Sequence, residues 1–352
     1  MTLLRHLAAA IVVAVILVVL SIQLGSYRDY QMAEVAAYVT AVAGLTVLIG
    51  LSGQISIGNG AFMAIGGYGG ALLLIHLSWP LELVFVASTL IAAAAGAIFG
   101  LAAARLRGPY LAGATLMLAV ALPSLADQYV GAFGGDQGLS VSINTPAFLG
   151  ANFPPTRWLA WVTCAGALIT LVLLANLHRS RVGRSWRALR DDEVAASLSG
   201  LNVARLQILA FVVSAACAGL GGALLAVVTT IVAPGAYTLT LSIGLLTAAV
   251  IGGLGSLLGA VWGSLLLVLV PTYLTNVAAS HGLSGAASSS VPIAAYGVVL
   301  IVVMLVFPAG IQGGLRRLFG PAVPAAAVPF NVLRRRRSAS EHQEEGLHEK
   351  IT

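Results

Sequence analysis

Few side chains in this 352-residue sequence could carry out covalent chemistry. The single lysine, Lys350, lies near the C-terminus, and neither G-x-x-x-x-G-K-[S/T] nor H-E-x-x-H occurs. Because a P-loop holds nucleotide phosphates with its lysine, the chain cannot hydrolyse ATP by P-loop chemistry. Cys164 and Cys217 lie far apart in apolar runs, which favours two small buried side chains over a disulfide or a metal site. The sequence therefore predicts no catalytic residue, no metal and no cofactor.

Ionisable side chains that could relay protons are nearly absent from the apolar runs. Glu34, Glu82 and Asp127 lie near the ends of these runs, and His76 is the only histidine deep in one. A lone histidine of this kind more often packs or lies near the membrane interface than takes part in catalysis. Since charges inside the membrane mark proton and ion coupling, we expect the energy for any uphill transport to come from another subunit.

Two polar, glycine-rich stretches interrupt long apolar runs, one at 51–60 and one at 252–259. Irregular backbone at membrane depth is tolerated only where protein or a water-filled cavity surrounds it, and broken helices mark transporter sites. We therefore predict that both stretches face a solute pathway; the alternative is close helix packing through glycine. The candidate path residues are Gly53, Gln54, Ser56, Gly58, Asn59, Gly252, Gly253, Gly255 and Ser256.

The longest polar loop between apolar runs covers residues 178–205 and is rich in arginine. Residues 185–198 are good helix formers, and Gly200 suits a helix stop. Trp186 and Leu189 give this segment an apolar side, and its small residues are spaced so that a partner could pack closely. We predict a short helix that lies parallel to the membrane and inserts into a groove of a soluble partner; the alternative is a loop whose arginines only set topology.

The composition places these elements in a bilayer. Hydrophobic residues make up 59% of the chain and charged residues 9%, and the mean hydropathy is +0.97. Soluble domains carry roughly 25% charged residues, and one span takes roughly 20 apolar residues. No small-x-small cleavage site follows the first apolar run, so we expect it to be retained. The fold class is an all-α polytopic membrane protein of about ten spans: 7–24, two within 35–81, 83–104, 108–126, 158–177, 206–229, 239–252, 257–275 and 291–307.

Basic residues orient these spans, because cytoplasmic loops are enriched in lysine and arginine. With the N-terminus inside, sixteen of the 18 basic residues lie inside, and only Arg28 and Arg157 lie outside. Both termini and the 178–205 loop are then cytoplasmic, and acidic span ends face outward. We expect residues 1–315 to form one transmembrane domain and residues 316–352 a disordered cytoplasmic tail, which includes Arg334–Arg337.

Three stretches resemble the permease subunits of ABC importers for branched-chain amino acids, especially the M-type partner of the two permeases. They are Gly50–Tyr68; Arg105–Leu116 with Gly134–Gly138; and Gly183–Arg205 with Gly221–Leu224 and Ile251–Gly259. The third is the most specific, since glycine-rich membrane stretches recur by chance. The resemblance covers residues 35 to about 310. Two departures are Asn59, where many relatives have His or Gln, and the C-terminal tail.

The resemblance implies a type II ABC importer-like permease in the bacterial plasma membrane that translocates branched-chain or related amino acids. Its expected partners are two ATPase subunits, a second and different permease chain, an extracytoplasmic solute-binding protein and membrane lipid, without nucleic acid. It also implies a coupling role for the 178–205 loop. The residues that carry this role are Arg184, Arg187, Arg190, Asp191, Asp192, Glu193, Ala195, Ala196 and Gly200.

Two other functions stay open on the sequence. An ABC permease for urea or a sugar shares the fold, and a passive channel or facilitator would need no ATPase. Asp29, Glu34, Glu82, Asp127 and Asp136 tilt the outer face toward negative charge, and we expect either a docking surface for a binding protein or solvated span ends.

Overall fold

The computed structural model describes residues 2–23, 25–105, 109–143, 153–280, 286–307 and 310–319. The chain divides into two units, Met1–Gly313 and Gly314–Thr352. In the second unit the described residues, 314–319, are helical. The predicted tail from residue 320 onward, including Arg334–Arg337, and Arg107 lie outside the described residues.

The described residues are almost entirely helical. A two-stranded antiparallel pair joins β1 (Leu139–Ser140) to β2 (Ile231–Val232), and 3-10 turns occupy Gly135–Gln137 and Pro234–Tyr237. The helices are α1 Thr2–Gln23, α2 Ser26–Ser52, α3 Asn59–Leu77, α4 Leu81–Ala103, α5 Pro109–Gln128, α6 Val130–Phe133, α7 Pro155–Arg179, α8 Arg181–Asp191, α9 Glu193–Leu198, α10 Val203–Thr229, α11 Leu239–Gly252, α12 Leu257–Ser280, α13 Ala286–Val306 and α14 Gly310–Phe319.

Nine segments of the described chain are long and apolar enough to cross a membrane; the first is α2, and the ninth, Ala294–Leu315, begins within α13. The apolar part of α1, Ala10–Gln23, is shorter and corresponds to the predicted first span. The fold is thus the all-α polytopic membrane architecture that the hydropathy pattern predicts. At about 1.5 Å per residue, the 14-residue helix α11 is about 21 Å long, which is less than the hydrocarbon thickness of about 30 Å. The 3-10 turn before α11 extends this crossing to Pro234–Gly252.

Helices α2 and α10 form the centre of the membrane unit. Helix α10 packs against α2, α3 and α4, while α7 and α12 pack on other sides of α2. From Val35 of α2 and Ile208 of α10 onward, both central helices carry apolar and small residues on every face, as expected for helices buried inside a bundle. Glycines let the backbones approach: a Cβ at Gly221 would lie 2.8 Å from the carbonyl oxygen of Ala37.

Several predicted side-chain environments appear in this packing. Cys164 and Cys217 are buried free thiols, as predicted. His76 is exposed in the last turn of α3, at the end of a span. Asp29, which we grouped with the outer acidic residues, is fully buried on α2, and its Oδ2 accepts from Arg157 Nε of α7 at 3.4 Å. This ion pair joins two helices, so the expectation that Asp29 contributes to an exposed acidic face is wrong.

Candidate functional site

The first break in the membrane helices lies between α2 and α3, at residues 53–58. Helix α2 ends where Gly53 adopts a left-handed conformation (φ +75°) and donates its N–H to the carbonyl of Ile49 at 3.2 Å. The buried Gln54 donates from Nε2 to Ser52 Oγ at 3.0 Å and to the carbonyl of Gln207 on α10 at 3.4 Å. The prediction of irregular backbone between two spans is therefore confirmed. The side chain of Gln54 connects this segment to α10.

Side chains from α5 and α11 accept hydrogen bonds from backbone N–H groups at this break, and a side chain of α10 bonds to Asn59. Ile57 donates its N–H to Thr115 Oγ1 of α5 at 3.1 Å, and Gly60 donates to Ser242 Oγ of α11 at 3.1 Å. Asn59 is buried, and its Oδ1 accepts from Ser214 Oγ of α10 at 3.3 Å. Buried backbone donors need such partners, so these contacts hold the break in one conformation.

Two further predicted path residues lie within the same break. The buried Ser56 Oγ accepts from the N–H of Gly58 at 3.3 Å. A Cβ at Gly58 would lie 2.8 Å from the carbonyl oxygen of Thr115, so α5 approaches the backbone closely at this point. Ser56, Gly58 and Asn59 are thus part of the packing between helices in this conformation.

The second break is the turn between α11 and α12, which contains Gly253, Gly255 and Ser256 and directly follows Gly252, the last residue of α11. Gly253 and Gly255 have φ values of +114° and +81°, which β-carbon-bearing residues rarely adopt. A Cβ at Gly310 would lie 2.5 Å from Gly253 Cα, and one at Gly50 would overlap the Gly255 backbone nitrogen. The second break therefore contacts α2 at Gly50, three residues before the first break begins. Here glycine serves close backbone packing, and the path role of this second turn stays a prediction.

The predicted coupling loop folds as two helices that meet at Asp192. We expected one helix over 185–198, but α8 begins earlier, at Arg181, and ends at Asp191, while α9 covers Glu193–Leu198. Asp192 Oδ1 accepts from the N–H groups of Val194 and Ala195 at 2.9 and 3.0 Å. The single-helix prediction is wrong because an aspartate is more stable as an N-cap than in a helix interior.

Helix α8 is anchored on the membrane unit by its apolar face. Trp186 is fully buried and donates from Nε1 to the carbonyl of Leu206 on α10 at 2.8 Å. Arg184 Nη1 donates to the carbonyl of Arg179 at 3.2 Å, and Arg187 Nη1 lies 3.3 Å from His178 Nε2. Arg184 and Arg187 thus bind the end of α7, and Trp186 binds α8 to α10.

Helix α9 presents apolar side chains outward. Val194 is 67% exposed and Leu198 is 84% exposed, whereas Ala196 is buried against the protein and Ala195 is exposed. Gly200 has a φ of +83° after the helix, so the predicted stop at this glycine is confirmed. The docking role that the sequence predicts for this face stays a prediction.

Arg190 connects this segment to the first break. Its Nη1 donates to the carbonyl oxygen of Gly50 on α2. A Cβ on Gly53 would lie 3.2 Å from Arg190 Cγ, so the arginine side chain covers the end of α2. Gly50 therefore makes two contacts: its carbonyl oxygen accepts from Arg190, and its α-carbon packs against the backbone of Gly255.

A cavity of about 600 Å³ brings together two predicted path residues, Gly53 and Gln54, and the four predicted coupling residues 190–193; the other predicted residues of both sets do not line it. Ser52, Gly53 and Gln54 line one side, and four consecutive charged residues, 190–193, line another. The sequence did not single out the polar partners on neighbouring helices, although isolated Ser, Thr and Gln in apolar runs are a signal for such bonds. The side-chain partners are Thr115, Ser214 and Ser242.

Comparisons with known proteins agree with this architecture. A family model described as "Branched-chain amino acid transport system / permease component" matches residues 27–308. The Escherichia coli (strain K12) high-affinity branched-chain amino acid transport system permease protein LivM is 33% identical over 255 residues, which is 66% of this chain and 60% of the relative. The chain therefore matches about three fifths of the length of that relative.

Two more relatives carry similar descriptions. The Salmonella typhimurium permease protein LivH is 27% identical over 294 residues, which covers 79% of this chain and 92% of the relative. The Pseudomonas aeruginosa permease protein BraD is 36% identical over 146 residues, which is 42% of this chain and 44% of the relative. No solved structure matches the chain.

Proposed function

The chain belongs to the family of branched-chain amino acid transport permease components, and from that premise we propose that it is the membrane-spanning permease subunit of an ATP-driven importer of branched-chain amino acids. Its apolar helices and permease relatives indicate a multi-pass protein of the bacterial inner membrane. Its relatives are transport proteins rather than enzymes. The observation that carries the proposal is the α8–α9 segment, whose outer face exposes apolar side chains and whose inner face contacts a helix break.

Helices α8 and α9 form the coupling element in this proposal. The exposed Val194 and Leu198 enter a groove on a separate ATPase subunit. The small side chain of Ala195 lets the surface of that subunit approach α9 closely. Asp192 and Gly200 fix the start and the end of α9. The exposed carboxylates of Asp191 and Glu193, where α8 meets α9, orient the docked partner. The segment suits docking because α8 is anchored firmly by Trp186 while α9 protrudes.

A displacement of this segment reaches the membrane breaks by direct contact. When the ATPase subunits close on ATP, they move α9, and α8 transmits the movement to Gly50 through Arg190. Gly50 also touches the α11–α12 turn, so both breaks shift together. The cavity beside Gln54 and Asp191 changes shape with them and serves as the inner end of the solute path.

The complete importer needs further subunits. Two ABC ATPase subunits supply ATP hydrolysis, because this chain has no P-loop lysine. A second, different permease chain completes the path, and an extracytoplasmic binding protein delivers the solute. In this arrangement residues 1–315 are the transmembrane domain, residues 316–352 are a cytoplasmic tail, and both termini are cytoplasmic.

Leu198→Glu tests the proposal at the most exposed apolar side chain of α9. The tagged chain is expressed from its native locus, and we measure both the ATPase subunit that co-purifies and the uptake of radiolabelled leucine. We expect both to fall by at least tenfold, since burying one unpaired carboxylate in an interface costs more than about 1.4 kcal/mol.

The matched control is Ile231→Glu, which places the same charge on an exposed isoleucine of β2, far along the chain from α9. This variant keeps the ATPase subunit bound. Leucine uptake that survives both Leu198→Glu and ATP depletion contradicts an ATP-driven importer and indicates a passive channel. If the cells take up urea or a sugar in place of leucine, the assignment as an ABC permease stands and the proposed solute is wrong.

A further inference from the structure

A long apolar groove runs along one flank of the membrane unit. It has a volume of about 530 Å³ and is lined by side chains of α1, α2, α7 and α12. Small side chains, including Ala36, Cys164 and Ala167, leave this space between the helices. None of the break residues or coupling residues lines the groove, so it is separate from the site described above.

The length of the groove matches one leaflet of a bilayer. On α2 it is lined by Arg28, Gln31, Met32, Val35, Ala36 and Val39, which follow the helical repeat along one face. At about 1.5 Å per residue, Arg28 to Val39 covers about 16 Å. One leaflet contributes about half of the hydrocarbon thickness of about 30 Å. The groove therefore begins at a span end and stops near the membrane centre.

A positive charge lies at the outer end of the groove. Arg28 is exposed, lines the groove and has no side-chain hydrogen bond or ion pair among the described residues. The neighbouring carboxylate of Asp29 is buried and held by Arg157, so it does not neutralise Arg28. Gln31 adds an amide at the same end. This end can bind a phosphate group, while the remaining lining is apolar.

We propose that a phospholipid occupies this groove, with one acyl chain along α2 and its phosphate at Arg28. An apolar groove does not hold ordered water, and an empty one loses dispersion contacts. The lining of the groove is apolar apart from Arg28 and Gln31 at one end, and this distribution matches an acyl chain below an anionic headgroup.

Native mass spectrometry of the detergent-purified complex, titrated with dioleoyl phosphatidylglycerol, tests this site. We expect one lipid to bind more tightly than the rest. Arg28→Gln should weaken the Kd of this first lipid about fivefold, the effect of one cation near an anionic headgroup. Ala167→Leu should fill the groove and remove the tight binding.

Two matched controls change the same residue types elsewhere. Arg105→Gln removes an exposed arginine outside the groove, and Ala94→Leu enlarges an exposed alanine of α4. Both should leave the first lipid's Kd unchanged. An unchanged Kd in Arg28→Gln, or one that Arg105→Gln alters equally, overturns the proposal.

The filling variant separates a lipid from a protein occupant. If the Ala167→Leu variant still binds the first lipid tightly, the proposal is overturned. It is also overturned if this variant loses a second permease chain while the lipid stays bound, because a protein then occupies the groove. If Ala167→Leu does not yield folded protein, the comparison of Arg28→Gln with Arg105→Gln decides, because both side chains are exposed.

Discussion

At the scale of single residues, Arg190 joins the two sites that the sequence predicts separately. Its guanidinium donates to the carbonyl of Gly50, and its aliphatic part covers Gly53. A planar guanidinium positions several donors rigidly, whereas the lysine ammonium is a compact point charge on a flexible stem. The contact between coupling segment and helix break therefore depends on arginine in particular.

Substitution of Arg190 by lysine should uncouple transport from ATPase binding. Loss of a charged hydrogen bond costs about 1.5–3 kcal/mol, so we expect leucine uptake to fall roughly tenfold or more. The co-purified ATPase should stay constant, since Val194 and Leu198 are unchanged. Arg181→Lys, at an exposed position on the same helix, is the control and should transport normally. Equal uptake in the two variants would show that Arg190 does not transmit the movement.

At the scale of helices, the breaks rather than the continuous spans hold the candidate site together. Helix α2 ends at Ser52, the α11–α12 turn touches it at Gly50, and α8 touches it through Arg190. These contacts require that no side chain stands between the backbone of α2 and its partners. A glycine whose α-carbon touches another backbone therefore identifies the site better than the number of glycines in the sequence does.

Gly50→Ala should separate the α11–α12 turn from α2, because the new Cβ would overlap the Gly255 backbone nitrogen. Overpacking of this kind costs about 1–3 kcal/mol, so the melting temperature of the purified protein should fall by several degrees. Gly113→Ala on α5 is the matched control, since no atom lies within 4 Å of its Cβ position. A melting temperature that is the same in both variants would contradict the close contact.

At the scale of the whole molecule, orientation decides which partner each surface can meet. The distribution of basic residues predicts that α8 and α9 face the cytoplasm and that β2 and the following 3-10 turn face outward. Only this orientation lets a cytoplasmic ATPase reach Leu198. It also places the cationic end of the lipid groove in the outer leaflet.

Cysteine labelling should reveal this orientation. We introduce Ala188→Cys on α8 and Ala236→Cys in the 3-10 turn, both at exposed positions, with the buried Cys164 and Cys217 replaced by alanine. A membrane-impermeant maleimide should label position 236 in intact cells and position 188 only after permeabilisation. The opposite pattern would reverse the topology and remove α9 from the reach of an ATPase.

The amino-acid sequence by itself determined the membrane class, the approximate spans, an interruption within 51–60 and the stop at Gly200. Each depends on local composition, because hydropathy and turn preference act on neighbouring residues. The tertiary structure decided that Asp29 is buried against Arg157, that Asp192 divides the coupling segment and that Gly50 joins both breaks. Apart from the Asp192 cap, these contacts link residues far apart in the chain, and helix packing alone brings them together. Their partners could not be read from spacing along the sequence.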